Sequence, residues 1–143
     1  MAADLYSDTM QSILTFNRSL RKYSKCFQSE QISGRQLATL RYLLENDQTT
    51  VGALSRYLFI SESSTSEQLS RLESKGLVKR TRSPDDKRIV TVSIMAAGKK
   101  LANRIPMGGI VLLRERMRNL PEKDLQSVKN VLTLLNSLLE NQA

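Results

Sequence analysis

Residues 49–80, TTVGALSRYLFISESSTSEQLSRLESKGLVKR, decide the fold of this chain, because they encode two short helices separated by a tight turn. Thr50 and Ser61 each precede an apolar-periodic stretch, and both residue types are favoured at helix N-caps. Gly76 suits the left-handed position that follows the last turn of a helix. The apolar faces consist of Val51, Leu54 and Leu58 in the first helix and of Thr65, Leu69 and Leu72 in the second. The stretch therefore predicts a helix-turn-helix.

A β-hairpin is predicted immediately downstream of the second helix. Residues 77–82 and 89–94 have strand character, and they flank the segment 83–88, SPDDKR, which is rich in turn formers. Apolar and polar residues alternate in the second strand, with Val90, Val92 and Ile94 on one face and Thr91 and Ser93 on the other. The hairpin has a basic tip and would lie beside the helix-turn-helix as a wing.

Further helices are predicted upstream. Residues 5–28 carry apolar side chains mostly at spacings of three and four, which indicates one long helix. Ser33 and Gln36 have the spacing of a capping box and predict the start of a second helix, which ends near residues 46–47. The apolar stripe of this second helix consists of Leu37, Leu40 and Leu44.

The C-terminal part of the chain is also predicted to be helical. A helix begins at Ala96, and Pro106 with Gly108 and Gly109 should interrupt it, because proline lacks a backbone donor and clashes with the preceding turn. Pro121 suits the first position of a last helix. The predicted fold is therefore mainly α with a small β-hairpin wing, a winged helix-turn-helix joined to a dimerisation region. The expected divisions are an N-terminal dimerisation helix at 1–32, a DNA-binding domain at 33–95 and C-terminal dimerisation helices at 96–143.

The two ends of the chain are predicted to build a homodimer. The last helix has leucines and a valine at successive spacings of 3, 4, 3 and 4, which is the a/d seam of a helix that packs against another. In a chain this small, two long terminal helices have little else to cover their apolar faces. The residues expected at the interface are Ile13, Phe16, Leu20, Leu125, Val128, Leu132, Leu135 and Leu139.

The composition argues against an enzyme. The 143 residues contain no histidine and a single cysteine, Cys26, which excludes an internal disulfide, His-dependent catalysis and His-ligated metal sites. No Gly-rich phosphate loop is present, so we expect no catalytic site, no metal and no cofactor. The chain has no apolar run of about 20 residues and no secretory signal pattern, which predicts a cytoplasmic protein without a membrane partner.

The net charge of +8 is concentrated in one segment. Residues 76–104 hold eight basic and two acidic side chains, whereas the regions before and after this segment each have a net charge of +1. Such a patch favours a polyanion, and double-stranded DNA is the obvious candidate. Charge alone leaves a second interpretation equally open, namely a solvated Lys/Arg face that only improves solubility.

The sequence resembles the MarR (multiple antibiotic resistance regulator) family on two stretches. Residues 49–80 are similar to the family's helix-turn-helix, which ends in Leu-Glu-x-x-Gly-Leu-Val. Residues 83–101, SPDDKRIVTVSIMAAGKKL, carry the family's wing signature Asp-x-Arg as Asp86-Lys87-Arg88. The resemblance implies a homodimeric, sequence-specific transcription regulator of the repressor type. It also implies that a small-molecule effector of unknown identity is compatible with the fold.

Within this resemblance, residues 61–75 would be the recognition helix in the major groove and residues 82–89 the wing in the minor groove. Arg88 would enter the minor groove while Asp86 holds its side chain in place, and the start of the second helix would face the phosphates. The residues expected to contact DNA are Ser33, Arg35, Gln36, Ser61, Glu62, Ser63, Ser64, Ser66, Glu67, Ser70, Arg82, Asp86, Lys87 and Arg88.

The chain departs from the family pattern at three positions. Glu62 and Glu67 place two acids on the recognition helix, where carboxylates near phosphates weaken DNA binding. Met95 replaces the threonine that usually caps the fifth helix, so this helix is expected to start loosely. The acids keep a second function open, a winged helix that binds a protein partner and binds DNA weakly or not at all.

Three further side chains have two interpretations each. Cys26 has cationic neighbours that could lower the pKa of its thiol, but its position favours a partly buried small hydrophobe over a redox switch. Tyr42 and Tyr57 could line an effector pocket, although tyrosines of this kind are more often core residues with a solvated hydroxyl.

Overall fold

The computed structural model describes residues 2–22 and 30–140. Contacts divide the chain into two compact units, Met1–Val111 and Leu112–Ala143. The predicted helix over residues 5–28 is described as far as Arg21, where it ends. The predicted continuation of this helix to residue 28 and the prediction for Cys26 concern residues outside the described ranges.

Helices dominate the described part of the chain, and three short strands complete it, which confirms the predicted fold class. The elements in chain order are α1 (Ala2–Arg21), α2 (Gly34–Glu45), β1 (Thr49–Thr50), α3 (Val51–Leu58), α4 (Glu62–Ser74), β2 (Val78–Arg82), β3 (Val90–Ile94), α5 (Ala96–Arg104), α6 (Gly109–Met117) and α7 (Glu122–Glu140). The helices α3 and α4 form the predicted helix-turn-helix, and β2 and β3 form the predicted hairpin.

Three helices begin where side-chain caps were predicted. Ser33 starts α2 with a complete capping box, because its hydroxyl accepts from the Gln36 backbone and the Gln36 side chain accepts from the Ser33 backbone. The hydroxyl of Thr50 accepts from Ala53 N at 3.1 Å at the start of α3. The hydroxyl of Ser61 accepts from Ser64 N at 3.0 Å at the start of α4. Each cap satisfies a backbone donor that has no partner inside its helix.

The sheet has one strand more than the sequence predicted. Its strand order is β1-β3-β2 and both pairings are antiparallel. The additional strand β1 contains only two residues, and Thr49 pairs with Val92. A two-residue strand has no hydrophobic period, so its pairing with β3 is visible only in the folded chain. The sheet therefore connects the residues before α3 to the hairpin.

The core lies between the helix-turn-helix, α2 and the sheet. Its fully buried large side chains are Leu37, Leu40, Leu43, Leu54, Leu69, Leu72, Val78, Val92 and Val111. The predicted stripe of α2 omits one residue: Leu43 is fully buried, and Leu44 is half-buried and packs against the core. Burying each of these leucines stabilises the fold by about 1.5–3 kcal/mol as an upper value.

The predicted break after α5 is confirmed, and the start of the last helix is shifted by one residue. The helix α5 ends at Arg104, before Pro106, and α6 begins at Gly109. Pro121 lies just before α7 and is not its first helical residue. The carbonyl of Pro121 accepts hydrogen bonds from the next helical turn, at 3.0 Å from Asp124 N and 3.1 Å from Leu125 N.

Gly98 allows α5 to approach the end of α4 and the start of β2 closely. A Cβ at this position would lie 2.2 Å from the carbonyl oxygen of Leu77 and 2.8 Å from Cγ1 of Ile94. The same Leu77 carbonyl accepts a hydrogen bond from Met95 N at 2.9 Å. Met95 itself provides no side-chain cap, as expected for this residue type. The start of α5 is therefore held by backbone contacts with Leu77.

We expect Gly98→Ala to lower the free energy of unfolding by about 1–3 kcal/mol, because a backbone carbonyl cannot move aside as a flexible side chain can. Gly52→Ala is the matched control, since a Cβ there would meet the mobile end of the Glu62 side chain at 3.1 Å. Urea unfolding followed by circular dichroism measures both. Equal stability of the two variants would contradict the close approach at Leu77.

Candidate nucleic-acid interface

The helix α4 presents a polar face at its N-terminus. Ser61, Glu62, Ser63, Ser64 and Glu67 are exposed, and the opposite face buries Thr65, Gln68, Leu69 and Leu72. The hydroxyl of Ser61 also donates to Oγ of Ser64 at 3.0 Å, so both hydroxyls belong to the cap. The exposed first turn can approach an external ligand with short polar side chains and with the positive end of the helix dipole.

A buried polar contact fixes the rotation of α4 against α2. Gln68 Nε2 donates a short hydrogen bond to Oγ1 of Thr39 and lies 3.5 Å from the carbonyl oxygen of Arg35. Thr39 Oγ1 donates in turn to that carbonyl at 3.0 Å. Because the Gln68 side chain is withdrawn from water, rotation of α4 would leave its amide unpaired at a cost of about 1–3 kcal/mol. Gln68 thereby sets which side chains of α4 face outward.

Arg80 of β2 connects the hairpin to α4. Its Nη2 donates to Ser70 Oγ at 2.9 Å and its Nη1 to the carbonyl oxygen of Ser66 at 3.3 Å. Its backbone N–H and its Nε both donate to Glu73, at 2.8 Å and 3.4 Å. The sequence did not predict that Arg80 holds the hairpin against α4, because it identifies Arg80 only as one cation of the basic segment 76–104. The contacts to the two serines join residues that are ten or more positions apart.

The contacts of Arg80 change the expected roles of two serines. The hydroxyl of Ser70 accepts from Arg80 and donates to the carbonyl of Ser66 at 3.0 Å. Ser66 is half-buried. Of Ser63, Ser66 and Ser70, only Ser63 is exposed without a hydrogen bond to Arg80 through its side chain or backbone.

The two acids of α4 have different surroundings. Glu67 Oε1 accepts from Nη2 of Arg71 at 2.9 Å, an i,i+4 ion pair in which both side chains are about two-thirds exposed. Glu62 lies in the first turn, where the positive end of the helix dipole stabilises a carboxylate. The charge of Glu67 is therefore not isolated, because Arg71 partly offsets it in an exposed ion pair.

The predicted brace in the wing, residues 82–89, is present. Arg88 donates to the Asp86 carboxylate through Nε at 3.2 Å, through Nη2 at 3.4 Å and through its backbone N–H at 3.0 Å. The Arg88 side chain remains 91% exposed, so the ion pair orients the guanidinium without covering it. The side-chain and backbone hydrogen bonds from Arg88 hold the pKa of Asp86 below its ordinary value. The Asp86 carboxylate is ionised at neutral pH, and because its pKa is lowered the brace persists to lower pH than an ordinary carboxyl would allow, until the pH falls through the folded-state pKa.

The remainder of the wing is a hydrogen-bonded turn. The Ser83 hydroxyl accepts from the backbone N–H groups of Asp85 at 3.3 Å and Asp86 at 3.4 Å. Arg82 Nη1 donates to the carbonyl of Lys87 at 3.2 Å, while the Lys87 side chain is exposed. These contacts hold a tip that presents Lys87 and Arg88 to solvent.

Fewer side chains at the start of α2 are available to contact DNA phosphates than the sequence predicted. Ser33 and Arg35 lie at its surface, but Gln36 is only 8% exposed and its side chain belongs to the capping box. The prediction that the Gln36 side chain faces phosphates is therefore corrected. Arg35 can still present its guanidinium, since its described hydrogen bonds use only the backbone carbonyl.

The predicted dimerisation residues are largely solvent-accessible in the single chain. In α1, Ile13 and Leu20 are half-buried and Phe16 is 49% exposed. In α7, Leu125, Leu132 and Leu139 are exposed, and Val128 and Leu135 are half-buried. None of the residues of α7 is buried.

Other ligand types find little support in the described residues. The rings of Tyr42 and Tyr57 pack against each other, with centroids 4.4 Å apart, and adjoin the hydrophobic core, as expected for core tyrosines. Among residues 2–22 and 30–140 no cluster of three or more acids, histidines or cysteines could hold a metal ion. None of the helices described combines the length and apolar character that a bilayer span requires.

Comparison with known proteins gives one consistent family. The profile described as the MarR family matches residues 30–89. The chain is 30% identical over 106 residues to the HTH-type transcriptional regulator YfiV of Bacillus subtilis (strain 168), an alignment that covers 74% of this chain and 66% of the relative. The chain thus spans just under two thirds of the length of that relative.

Solved structures share the fold. The YusO protein from Bacillus subtilis matches with a TM-score of 0.64 at 19% identity, over 96% of this chain and 98% of that chain. A cysteine-to-serine mutant of MarR from E. coli, crystallised in complex with operator DNA, matches with a TM-score of 0.56 at 23% identity, over 92% of this chain and 93% of that chain.

We expect Arg80→Ala to lower the free energy of unfolding by about 1–3 kcal/mol, because it removes charge-assisted hydrogen bonds from a side chain that is only 27% exposed. Arg82→Ala, two residues along the same strand, is the control and should change stability by less than about 0.5 kcal/mol. Denaturant unfolding measures both variants. If the two curves coincide with that of the wild type, Arg80 does not hold the hairpin against α4.

Proposed function

This chain belongs to the MarR family, and we propose that it is a sequence-specific regulator of transcription that binds double-stranded DNA as a homodimer. The observation that carries the proposal is the pairing of an exposed, capped helix start with a braced arginine on the wing, joined through Arg80. Repression is the mode we propose, because a protein that occupies its operator excludes other proteins from the same DNA.

Each part of the surface has a distinct role in this proposal. The first turn of α4, from Ser61 to Glu67, would lie in the major groove, where short polar side chains can bond to base edges. Arg88 would enter the minor groove, which attracts arginine through its negative potential. Lys87, Arg82 and Arg35 would contact phosphates and supply affinity that does not depend on sequence.

Charge distribution supports DNA over a purely solvated basic face. The wing places Lys87 and Arg88 at the tip of a hairpin, and the Arg88 side chain is 91% exposed although two hydrogen bonds from its guanidinium to Asp86 fix its direction. A cation that served only solubility would not need orientation. Fixing a long side chain in advance reduces the entropy that binding would otherwise cost.

The proposed homodimer rests on the apolar faces of the terminal helices. At 100° per residue, the predicted seam of α7 and the exposed Val131, Leu134 and Leu138 together occupy roughly half of the circumference of the helix. In α1, Leu5, Tyr6, Leu14 and Phe16 are also between 49% and 69% exposed. Exposed apolar patches of this extent mark protein–protein contacts. A second copy is the proposed partner, because two half-sites on DNA require two recognition helices.

The proposed function is tested by selecting duplexes from a randomised library with the purified protein. Enrichment of one motif with two related half-sites is expected. The alternative function, a winged helix that binds a protein partner, becomes the better hypothesis if no duplex is retained even at low salt.

We expect Arg88→Ala and Lys87→Ala to weaken binding to any duplex, each reducing the slope of log K against log salt by about one unit. Asp86→Ala should also weaken binding although it removes a negative charge, because Arg88 loses its brace. Lys123→Ala, a cation on α7, is the charge-matched control and should leave the slope unchanged. Anisotropy titrations at several salt concentrations give the slopes, and tighter binding by Asp86→Ala would refute the bracing role.

We expect static light scattering at micromolar concentration to give about twice the chain mass of 16.2 kDa. Leu132→Asp should shift the protein toward the monomer, because it places a charge in the apolar seam. Thr133→Asp adds the same charge to the polar side of α7 and should leave the dimer intact. A monomeric wild type, or equal masses for the two variants, would show that α7 does not build the dimer.

A further inference from the structure

An open cleft on the surface of the chain is lined by residues that the proposed DNA contacts leave without a role. It has a volume of about 340 Å³. Its described walls come from Glu30 before α2, from Lys75 and Leu77 at the junction of α4 and β2, and from α5. Clefts of this size are within the range in which proteins bind small molecules. The chemistry of the walls therefore indicates what could bind there.

One face of α5 lines the cleft with apolar and cationic side chains. Ala97, Lys100, Leu101 and Arg104 have the spacing i, i+3, i+4 and i+7, which places them on the same side of the helix. Leu77 adds a further apolar side chain from outside α5. The cleft thus combines an apolar wall with positive charges.

Three cations share the cleft with one carboxylate among its described lining residues. Arg104 donates to Glu30 through Nε at 3.2 Å and through Nη2 at 2.8 Å. The ammonium of Lys75 donates to the backbone carbonyl of Gln31, which is a neutral acceptor. Within residues 2–22 and 30–140, Lys100 has neither a hydrogen-bond partner nor an ion-pair partner. Three positive charges and one negative charge leave these walls with a net charge of +2.

The fold gains little from this arrangement of cations. Lys100 and Arg104 are one turn apart on α5, and like charges at this spacing destabilise a helix. The Arg104 side chain is 63% exposed, so its ion pair with Glu30 contributes little to stability. An anion in the cleft would relieve the repulsion and would provide an acceptor for Lys100.

We propose that this cleft binds a small organic carboxylate whose hydrocarbon part lies against Leu77, Ala97 and Leu101. The carboxylate would accept from Lys100 and from Nη1 of Arg104, which the ion pair with Glu30 leaves unused. A simple inorganic anion would use the same cations but would leave the apolar wall uncovered. The site goes beyond the proposed DNA-binding function, and its test requires no DNA.

Isothermal titration calorimetry with sodium acetate, butanoate and hexanoate tests both parts of this site. Hexanoate should bind at millimolar concentration, and the affinity should rise by up to about fourfold for each methylene group added from acetate to hexanoate. Hexanamide, which has the same hydrocarbon part and no charge, should bind more weakly than hexanoate. If acetate or hexanamide binds as tightly as hexanoate, the cleft does not use both its apolar wall and its cations, and the proposal is overturned.

Two adjacent lysines of α5 provide matched variants, because Lys100 lines the cleft whereas Lys99 is exposed outside it. Lys100→Ala should weaken hexanoate binding by about fivefold or more, since it removes a charge-assisted hydrogen bond. Lys99→Ala should leave the affinity unchanged. Glu30→Gln should strengthen binding, because it removes the carboxylate that competes for Arg104. Equal losses in the two lysine variants would show only diffuse attraction and would overturn the proposal.

The remaining explanation for Lys100 is a contact with DNA phosphate. Both lysine variants should keep the Tm of the wild type, because these side chains are exposed, so their titrations compare folded proteins. The slope of log K against log salt for duplex DNA should be the same in both variants. If Lys100→Ala reduces this slope by about one unit and leaves hexanoate binding unchanged, Lys100 serves DNA and the carboxylate site is refuted.

Discussion

The guanidinium of Arg80 lies between α4 and the hairpin, and the geometry of the candidate interface depends on it. The helix start and the wing tip are carried by different elements, and each is locally well formed without the other. A double-stranded ligand, however, requires a fixed distance between the group in its major groove and the group in its minor groove. Arg80 supplies that constraint, because it bonds to Ser66, Ser70 and Glu73 of α4 from within β2.

Two further contacts extend this constraint through the rest of the domain. The hydrogen bond between Gln68 and Thr39 fixes the rotation of α4 on α2, so that the exposed first turn faces outward. The absence of a side chain at Gly98 lets α5 lie against the Leu77 carbonyl, directly before β2. The hydrogen bond between Gln68 and Thr39 thus sets the rotation of α4, and the close approach at Gly98 sets the position of α5 beside Leu77. Arg80 sets the position of the hairpin against α4. Each of these contacts would be lost if one of its partners moved. Such mutual dependence is expected of a surface that must match a rigid partner.

Local sequence signals predicted those parts of the structure that depend on neighbouring residues. The caps at Ser33, Thr50 and Ser61 are interactions over three positions, so spacing alone reveals them. The brace between Asp86 and Arg88 spans two positions and was implied by the resemblance to the MarR family. Contacts between distant residues were missed. The pair Gln68 and Thr39 is 29 positions apart, Arg80 and Ser70 are 10 apart, and strand β1 exists only through pairing with β3.

Two of the corrections at predicted site residues have the same origin. Gln36 and Ser70 are polar residues that the resemblance to the MarR family made candidates for DNA contact. The side chain of Gln36 is used by the cap of its own helix, and that of Ser70 by Arg80. A polar side chain can serve the fold or a ligand, and residue type does not distinguish these uses. Whether a neighbour already occupies its hydrogen-bonding groups is decided by tertiary structure.

The acids on α4 acquire a different meaning once their neighbours are known. An isolated carboxylate at Glu67 would repel every phosphate and weaken binding to all DNA. Paired with Arg71, it presents an acceptor and a donor side by side on consecutive turns of the helix, with no net charge. Such a pair opposes phosphates little, and the second oxygen of the Glu67 carboxylate stays available to accept from a cytosine amino group while Arg71 remains bound to the first. Selectivity at this site would then come from the cytosine contact, because a duplex without that amino group gains no hydrogen bond from Glu67.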